Sequence, residues 1–240
     1  KPLANPVSAL RQIKSRDEIA LIREASELAE DALAEILGEL REGVTESEVA
    51  AKLEYAFKRR GAQGASFDTI ALFGAHSSLP HGKPGARALE MGDIVLMDCG
   101  CILDGYCSDL TRTAVFGRIS APWFEKIFEV TLQAQEAALR AIRPGVPCTE
   151  VDAIARNIIS AAGYGDYFGH GLGHGVGLEV HESPRLNTLY KGVLEAGMVV
   201  TVEPGIYLPG QGGVRIEDLV AVTEDGCDVL THSPKQLRIL

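Results

Sequence analysis

Two stretches decide the architecture: GVTESEVAAKLEYAFKRRG (43–61) and GVPCTEVDAIARNIISAAG (145–163). At an offset of 102 residues, Gly43, Val44, Glu48, Val49, Ala51 and Gly61 recur in the same order. Shared helix grammar accounts for part of this, because glycines and capping acids are dictated locally. The agreement of order and spacing points further, to a duplicated α+β half. Each copy follows a long amphipathic helix and precedes a strand-rich region. A duplication of this kind leaves a cleft between the copies, a common place for a ligand site.

Working outward, the helix starts are explicit. SRDE (15–18) is a capping box, and IALIREASELAEDALAEILGEL after it carries apolar residues at helical spacing. TESE (45–48) is a second box, opening a helix whose Lys58, Arg59, Arg60 and Gly61 suit a C-terminus. A third helix is predicted after Ser120 with Pro122 in its first turn, and a fourth from Thr149. Strands fill the gaps. DIVLMDCGCILDGYCSDLTRTAVF (93–116) reads as a hairpin turning at Asp104-Gly105, and MVVTVEPGIYL and VRIEDLVAV flank PGQGG as another.

Composition narrows the function classes. The chain is 46% hydrophobic and 23% charged, without an apolar run long enough to span a membrane. A formal charge of −10, with no stripe of Lys and Arg, argues against nucleic acid as a partner. Five cysteines do not make a disulfide framework, and Cys99, Cys101 and Cys107 lack the spacing of a zinc site. Free thiols and the lack of a targeting signal lead us to expect a cytoplasmic protein. The chain opens without Met, which suggests that a segment precedes it.

The carboxylates carry the chemistry. A two-residue type I′ turn at Asp104-Gly105 puts Leu103 opposite Tyr106, Asp98 opposite Thr111 and Asp109 opposite Gly100. Asp98 and Asp109 then become diagonal neighbours on one face, roughly 7–8 Å apart, with Cys99 and Cys101 on the other. IVLM before Asp98 reads as a buried strand, and buried acids need a proton or cation between them. Glu203 ends the run MVVTVE, and Glu217 shares a strand face with Arg215. Three of the six histidines, His170, His174 and His181, crowd into GHGLGHGVGLEVHE (169–182). Four carboxylates and an imidazole suit a pair of divalent ions, Mn²⁺ first with Co²⁺ or Zn²⁺ as alternatives.

The order Asp98, Asp109, His174, Glu203, Glu217 resembles the pita-bread metallopeptidases, which include methionine aminopeptidase, aminopeptidase P and prolidase. IKSRDEI, DGYCSDLTRT, GHGLGHGVGLEVHE, VEPGIYLPGQGGVRIEDLV and LTHSPKQL are similar to the Xaa-Pro branch. The resemblance implies an α+β fold of two pseudo-symmetric α/β halves around a central metal cleft. It implies that Asp98 chelates one metal, that Asp109 and Glu217 bridge both, and that His174 and Glu203 complete the second. His181 and His81 would stabilise the tetrahedral intermediate, and His170 would line the proline pocket. Glu203 would assist proton transfer, with Arg215 and Tyr207 holding the carboxylates and the intermediate. An isolated histidine is more often a packing residue; the spacing of His170 and His181 around a ligand reverses that preference, whereas His76 and His232 read as surface or structural.

The implied activity is hydrolysis of the bond between an N-terminal residue and proline by a metal-bridged hydroxide, with proline-containing peptides as partners. Residues 1–14 would be a linker from an N-terminal domain, 15–240 the catalytic domain, and the full-length protein a homodimer. Methionine aminopeptidase, a metal-free creatinase-like hydrolase and a non-catalytic peptide- or protein-binding module on the same fold are the alternatives.

Overall fold

Both capping boxes form. In the computed structural model, which describes residues 6–119 and 121–240, Ser15 accepts from Glu18 N and Thr45 from Glu48 N, each glutamate answering to its cap's own N–H. Ser120 and the first five residues of the expected linker lie outside the described residues. The chain runs through α1 (Pro6–Gln12), α2 (Arg16–Gly38), α3 (Glu46–Arg59), β1 (Gly64–Ala65), β2 (Ile70–Phe73), β3 (Ile94–Cys99), β4 (Cys101–Leu103), β5 (Tyr106–Cys107) and β6 (Leu110–Val115). Then follow α4 (Pro122–Ala141), α5 (Cys148–Ala161), β7 (Gly173–Gly175), β8 (Glu182–Leu186), β9 (Val199–Val202), β10 (Gly205–Leu208), β11 (Gly212–Arg215), β12 (Asp218–Val222) and β13 (Cys227–Val229).

The repeat is structural. Helices α3 and α5 have the same length and the same boundaries at the sequence offset. Gly43, Gly61, Gly145 and Gly163 all take positive φ, between 85° and 100°, a conformation that a Cβ disfavours. Gly43 N bonds Leu89 O as Gly145 N bonds Leu194 O, both at 2.8 Å, and Gly92 N bonds Phe116 O as Gly197 N bonds Val222 O. One boundary differs from expectation. Helix α5 starts at Cys148, one residue before Thr149, because Pro147 bridges to Val193 and Cys148 N bonds Gly192 O, so main chain rather than a side chain fixes the end.

Sheets divide along the same line. Strands β2, β3 and β6 form one antiparallel set, β1, β4 and β5 a second, β10 and β11 a third, and a five-stranded sheet runs β13-β12-β9-β7-β8. One apolar core packs α2 and α3 against β2, β3 and β6; another packs α4 and α5 against the strands of the second half. Phe57 and Phe73 are fully buried in the first, each contributing roughly 1.5–3 kcal/mol by leaving water. A smaller cluster, with Ile22, Val176, Val199 and Leu219, ties α2 to the second half. The five cysteines are free, and no described helix is long and apolar enough to cross a membrane.

Candidate metal centre

Asp104 and Gly105 have φ of 47° and 85°, as a type I′ turn requires. The predicted register follows: Leu103 pairs with Tyr106, and Asp98 with Thr111. The ribbon breaks once, at Gly100, where a Cβ would run into Ser108 O. There the ribbon exchanges β2 for β1 as its outer neighbour, and Ser66 N bonds Gly100 O at 3.0 Å. Asp98 and Asp109 stand on either side of this break and both face the cleft. Cys99 and Cys101 point into the core.

In the second half β9 pairs with β12, Val202 against Asp218, and β10 with β11, Gly205 against Arg215, in one continuous register. That register sets Glu203 against Glu217. Strand β7 brings in His174 beside β9, and it approaches so closely that a Cβ on Gly173 would strike the Thr201 carbonyl. The glycine-rich run around His174 is therefore required by packing. The two hairpins meet where Glu217 N bonds Thr111 O at 3.1 Å and the Thr111 hydroxyl donates to Glu217 Oε2 at 2.6 Å.

The acids and the imidazole converge in a cleft of about 250 Å³. Ligand atoms of Asp109, His174 and Glu217 all lie within 4.8 Å of one another. His174 Nδ1 faces the Gly175 carbonyl at 3.1 Å, and since a carbonyl only accepts, that nitrogen carries the hydrogen. Nε2 then points at Glu203 Oε1 (3.1 Å) and Asp109 Oδ2 (3.6 Å). Glu203 is also held by the Thr201 hydroxyl at 3.0 Å. Asp98 stands aside from the tight trio, because its Oδ2 is paired with the Arg215 guanidinium. That guanidinium also donates to Thr111 Oγ1 (3.1 Å) and to the Tyr207 hydroxyl (2.7 Å).

Electrostatically the cluster is overloaded. Asp109, Glu217, Asp98 and Glu203 are paired directly with one guanidinium and at most one imidazolium, so negative charge exceeds its direct partners by at least two. Burial drives the Asp109 and Glu217 carboxyls well above their usual range, and the neighbouring acids push them further. Asp98 is also raised, by burial, against the pull of Arg215. Glu203 resists burial: its hydrogen bond to His174 and the surrounding positive charge hold it at about 2. Two buried oxygens, Asp98 Oδ1 and Glu217 Oε1, have no hydrogen-bond partner. Unpartnered carboxylate oxygens are expensive to bury, and hard all-oxygen acids with one imidazole are the ligand chemistry of Mn²⁺, Co²⁺ or Zn²⁺. The residues fit divalent cations.

Around this centre the cleft is lined by His81, His170 and His181. His170 Nδ1 faces Gly171 O at 2.8 Å, so its Nε2 accepts from the Tyr207 hydroxyl at 2.9 Å, ending a chain that begins at Arg215. His181 packs edge-on to His174 with ring centres 4.3 Å apart. His76 is structural: it bonds the buried Glu46, which also takes Phe73 N (2.8 Å) and Gly85 N (3.0 Å) and so closes the loop carrying His81. His232 is exposed and outside the cleft.

Sequence reasoning passed over four residues. Glu46 looked like an ordinary member of a capping box. Asp152, paired with Arg156 at 2.8 Å, holds Leu172 N, while Arg156 donates to His170 O; the acid–base spacing on α5 was the available signal. Thr111 became important only through a partner 106 positions away. Arg185, across the sheet from His174, lines the cleft with no acidic partner among the described residues.

The sequence profile of Metallopeptidase family M24 matches residues 20–224. The chain belongs to this family. Its fold is the family's pita-bread fold, and an M24 domain is a metallopeptidase domain. An Xaa-Pro dipeptidase from Bacillus anthracis superposes with a TM-score of 0.97 at 46% identity, covering all of this chain and 67% of that one. An X-Pro aminopeptidase from Thermotoga maritima gives 0.96 at 41% identity, over 98% of this chain and 66% of its own. The "Uncharacterized peptidase YqhT" of Bacillus subtilis (strain 168) is 48% identical over 239 residues, 100% of this chain and 67% of that protein. This M24 chain thus spans about two thirds of the length of the proteins it matches.

Proposed function

We propose that this chain is the catalytic domain of an Xaa-Pro peptidase, a dinuclear metal-dependent hydrolase of the bond between an N-terminal residue and proline. The observation that carries the reading is the pair of partnerless buried oxygens, Asp98 Oδ1 and Glu217 Oε1, beside an imidazole nitrogen aimed at two more carboxylates. Asp98 would hold one ion, Asp109 and Glu217 both, and His174 and Glu203 the second, with Mn²⁺ the favoured metal. Held by these residues, two divalent cations would supply Lewis acidity toward the scissile carbonyl and lower the pKa of the nucleophilic water.

The chain's own groups do the rest. His81 and His181, on the open side of the cleft, donate to the carbonyl oxygen as it gains charge. Glu203, ionised and partly exposed, accepts a proton and passes it on to the leaving proline nitrogen. Tyr207 and Phe168, the latter edge-on at 5.0 Å, fix the His170 ring, whose face would take a pyrrolidine. Arg215 keeps Asp98 and Tyr207 in register. Arg185, which has no acidic partner among the described residues, offers a guanidinium to the carboxylate of a short peptide, which favours Xaa-Pro dipeptides over longer chains. Two structural relatives, an Xaa-Pro dipeptidase and an X-Pro aminopeptidase, support the proline specificity.

The test is Mn²⁺-supported hydrolysis of Ala-Pro, Ala-Pro-Ala and Met-Ala-Ser, beside an Asp109→Asn control. Metal-dependent cleavage of Ala-Pro that the control lacks is the expected result. Preference for Met-Ala-Ser would place the activity with methionine aminopeptidases instead, and faster cleavage of Ala-Pro-Ala would overturn the dipeptide preference.

A further inference from the structure

His181 stands on a thin wall. One side of it lines the catalytic cleft; the other borders a second hollow of about 180 Å³, bounded by Ser8, Arg11, Glu179, Glu182 and Arg185. The ring therefore has space to leave the cleft. Among the described residues its one ring neighbour is His174, at 4.3 Å between centres, which leaves the opposite side of the ring free. What restrains it is the next residue. Glu182 is buried, and its carboxylate accepts from Lys14 Nζ at 3.0 Å, from Arg11 Nε at 3.1 Å and from Glu179 N at 3.1 Å, with Arg11 Nη2 closing the fork.

The other end of this ion pair is equally fixed. The Lys14 side chain is only 3% exposed, and its backbone N–H bonds Gly197 O at 2.8 Å. Among the described residues, Glu182 is the one hydrogen-bonding partner of its Nζ. Gly177 makes room for the pair: a Cβ there would meet both Glu182 oxygens and Lys14 Cε within 2.9 Å. A lysine buried to this degree is costly unless it is paired, and here its partner, 168 positions away in sequence, is the residue next to His181.

We propose that Lys14, Arg11 and Glu182 form a clamp that positions His181 in the cleft, coupling the segment ahead of α2 to the catalytic histidine. The three are positioning residues: they touch neither the candidate ligands nor the substrate space beyond His181. The inference rests on the peptidase reading for its kinetic consequence, but its structural consequence is independent of turnover.

The experiment uses protein carrying ¹³C at histidine Cε1, compared as wild type, Glu182→Gln, Lys14→Met and the milder Arg11→Gln. The clamp predicts that the His181 resonance moves or broadens in the variants, while those of His76, His81 and His232 stay in place. An unmoved His181 signal in folded Glu182→Gln and Lys14→Met overturns the proposal. With Ala-Pro as substrate, kcat should fall roughly tenfold or more with KM within about twofold. In a His181→Ala background, Glu182→Gln should add nothing further; effects that multiply would show a merely structural role and overturn it as well. If wild-type protein cleaves none of the peptides, the proposed function fails, and the resonance comparison still decides the clamp.

Discussion

The two halves share a backbone and differ in charge. By the repeated hydrogen bonds, Asp98 at the end of β3 corresponds to Glu203 at the end of β9, and Thr111 on β6 corresponds to Glu217 ahead of β12. One acid is thus preserved through the duplication. At the facing position the first half has a hydroxyl and the second a carboxylate, and the hydroxyl donates to that carboxylate. The first half recovers its second acid from Asp109, at the break in its ribbon opposite Gly100. The second half adds an imidazole through the β7–β9 approach. Each half also fastens a cleft loop with a buried acid near the start of its repeat helix, Glu46 in one and Asp152 in the other, at positions that do not correspond. Pseudo-symmetry supplies the geometry of the cleft, and its violations supply the chemistry.

The strongest way to break that account is Asp109→Asn, which removes the acid that has no counterpart in the other half. Mn²⁺-supported kcat should fall by more than about a thousandfold, several kcal/mol of transition-state stabilisation, while the circular dichroism spectrum is kept; a fall below tenfold would mean that the symmetric pair suffices. Arg215→Lys comes next. Lysine cannot reach Asp98, Thr111 and Tyr207 together, so kcat should drop roughly 10–100-fold, measured with Ala-Pro at saturating Mn²⁺. Thr111→Val tests the facing position directly: loss of the donor to Glu217 should weaken Mn²⁺ binding roughly tenfold by calorimetry.

Metal removal gives the smallest effect and a sign. Asp109 and Glu217 have folded-state pKa values raised by burial, so between the ordinary carboxylate range and those raised values the folded chain binds more protons than the unfolded one. Metal-free stability therefore falls as pH rises through that window and recovers on acidification. Chelation should lower Tm by several degrees at pH 8 and by less at pH 5.5, read by scanning calorimetry; an equal loss at both pH values would mean that these acids do not carry the cluster's strain.

Most of the framework was legible in the sequence because it is local or repeated. The Asp104-Gly105 turn alone carries the register to Asp98 and Thr111, six residues away on either strand. The capping boxes mark the starts of α2 and α3 to the residue, and the repeat places α5 to within one residue of its start. What escaped depends on distant partners. No periodicity announces that Glu46 will meet His76 and Gly85 N, that Arg215 will draw Asp98 aside from Asp109, or that Lys14 will find Glu182. Arg112 and Asp218, buried against each other behind Glu217, are the same case. Side-chain charge in a cleft is settled by the packing of two halves, and neither half's sequence states it alone.

The Thr111–Glu217 contact has a consequence for synthesis. Of the five candidate ligands, Glu217 is made last, and the hydroxyl that orients it was made 106 residues earlier. A nascent chain carrying only the first half holds Asp98 and Asp109 but no partner acids, so the ions cannot template its folding. Truncation between the first half and β12 leaves Asp98 and Asp109 without Glu217, and it also removes the C-terminal residues that bond Val115 and Gly117 of the first half. Closure of the five-residue cluster therefore waits on the second hairpin, whose Glu217 meets Thr111 of the first.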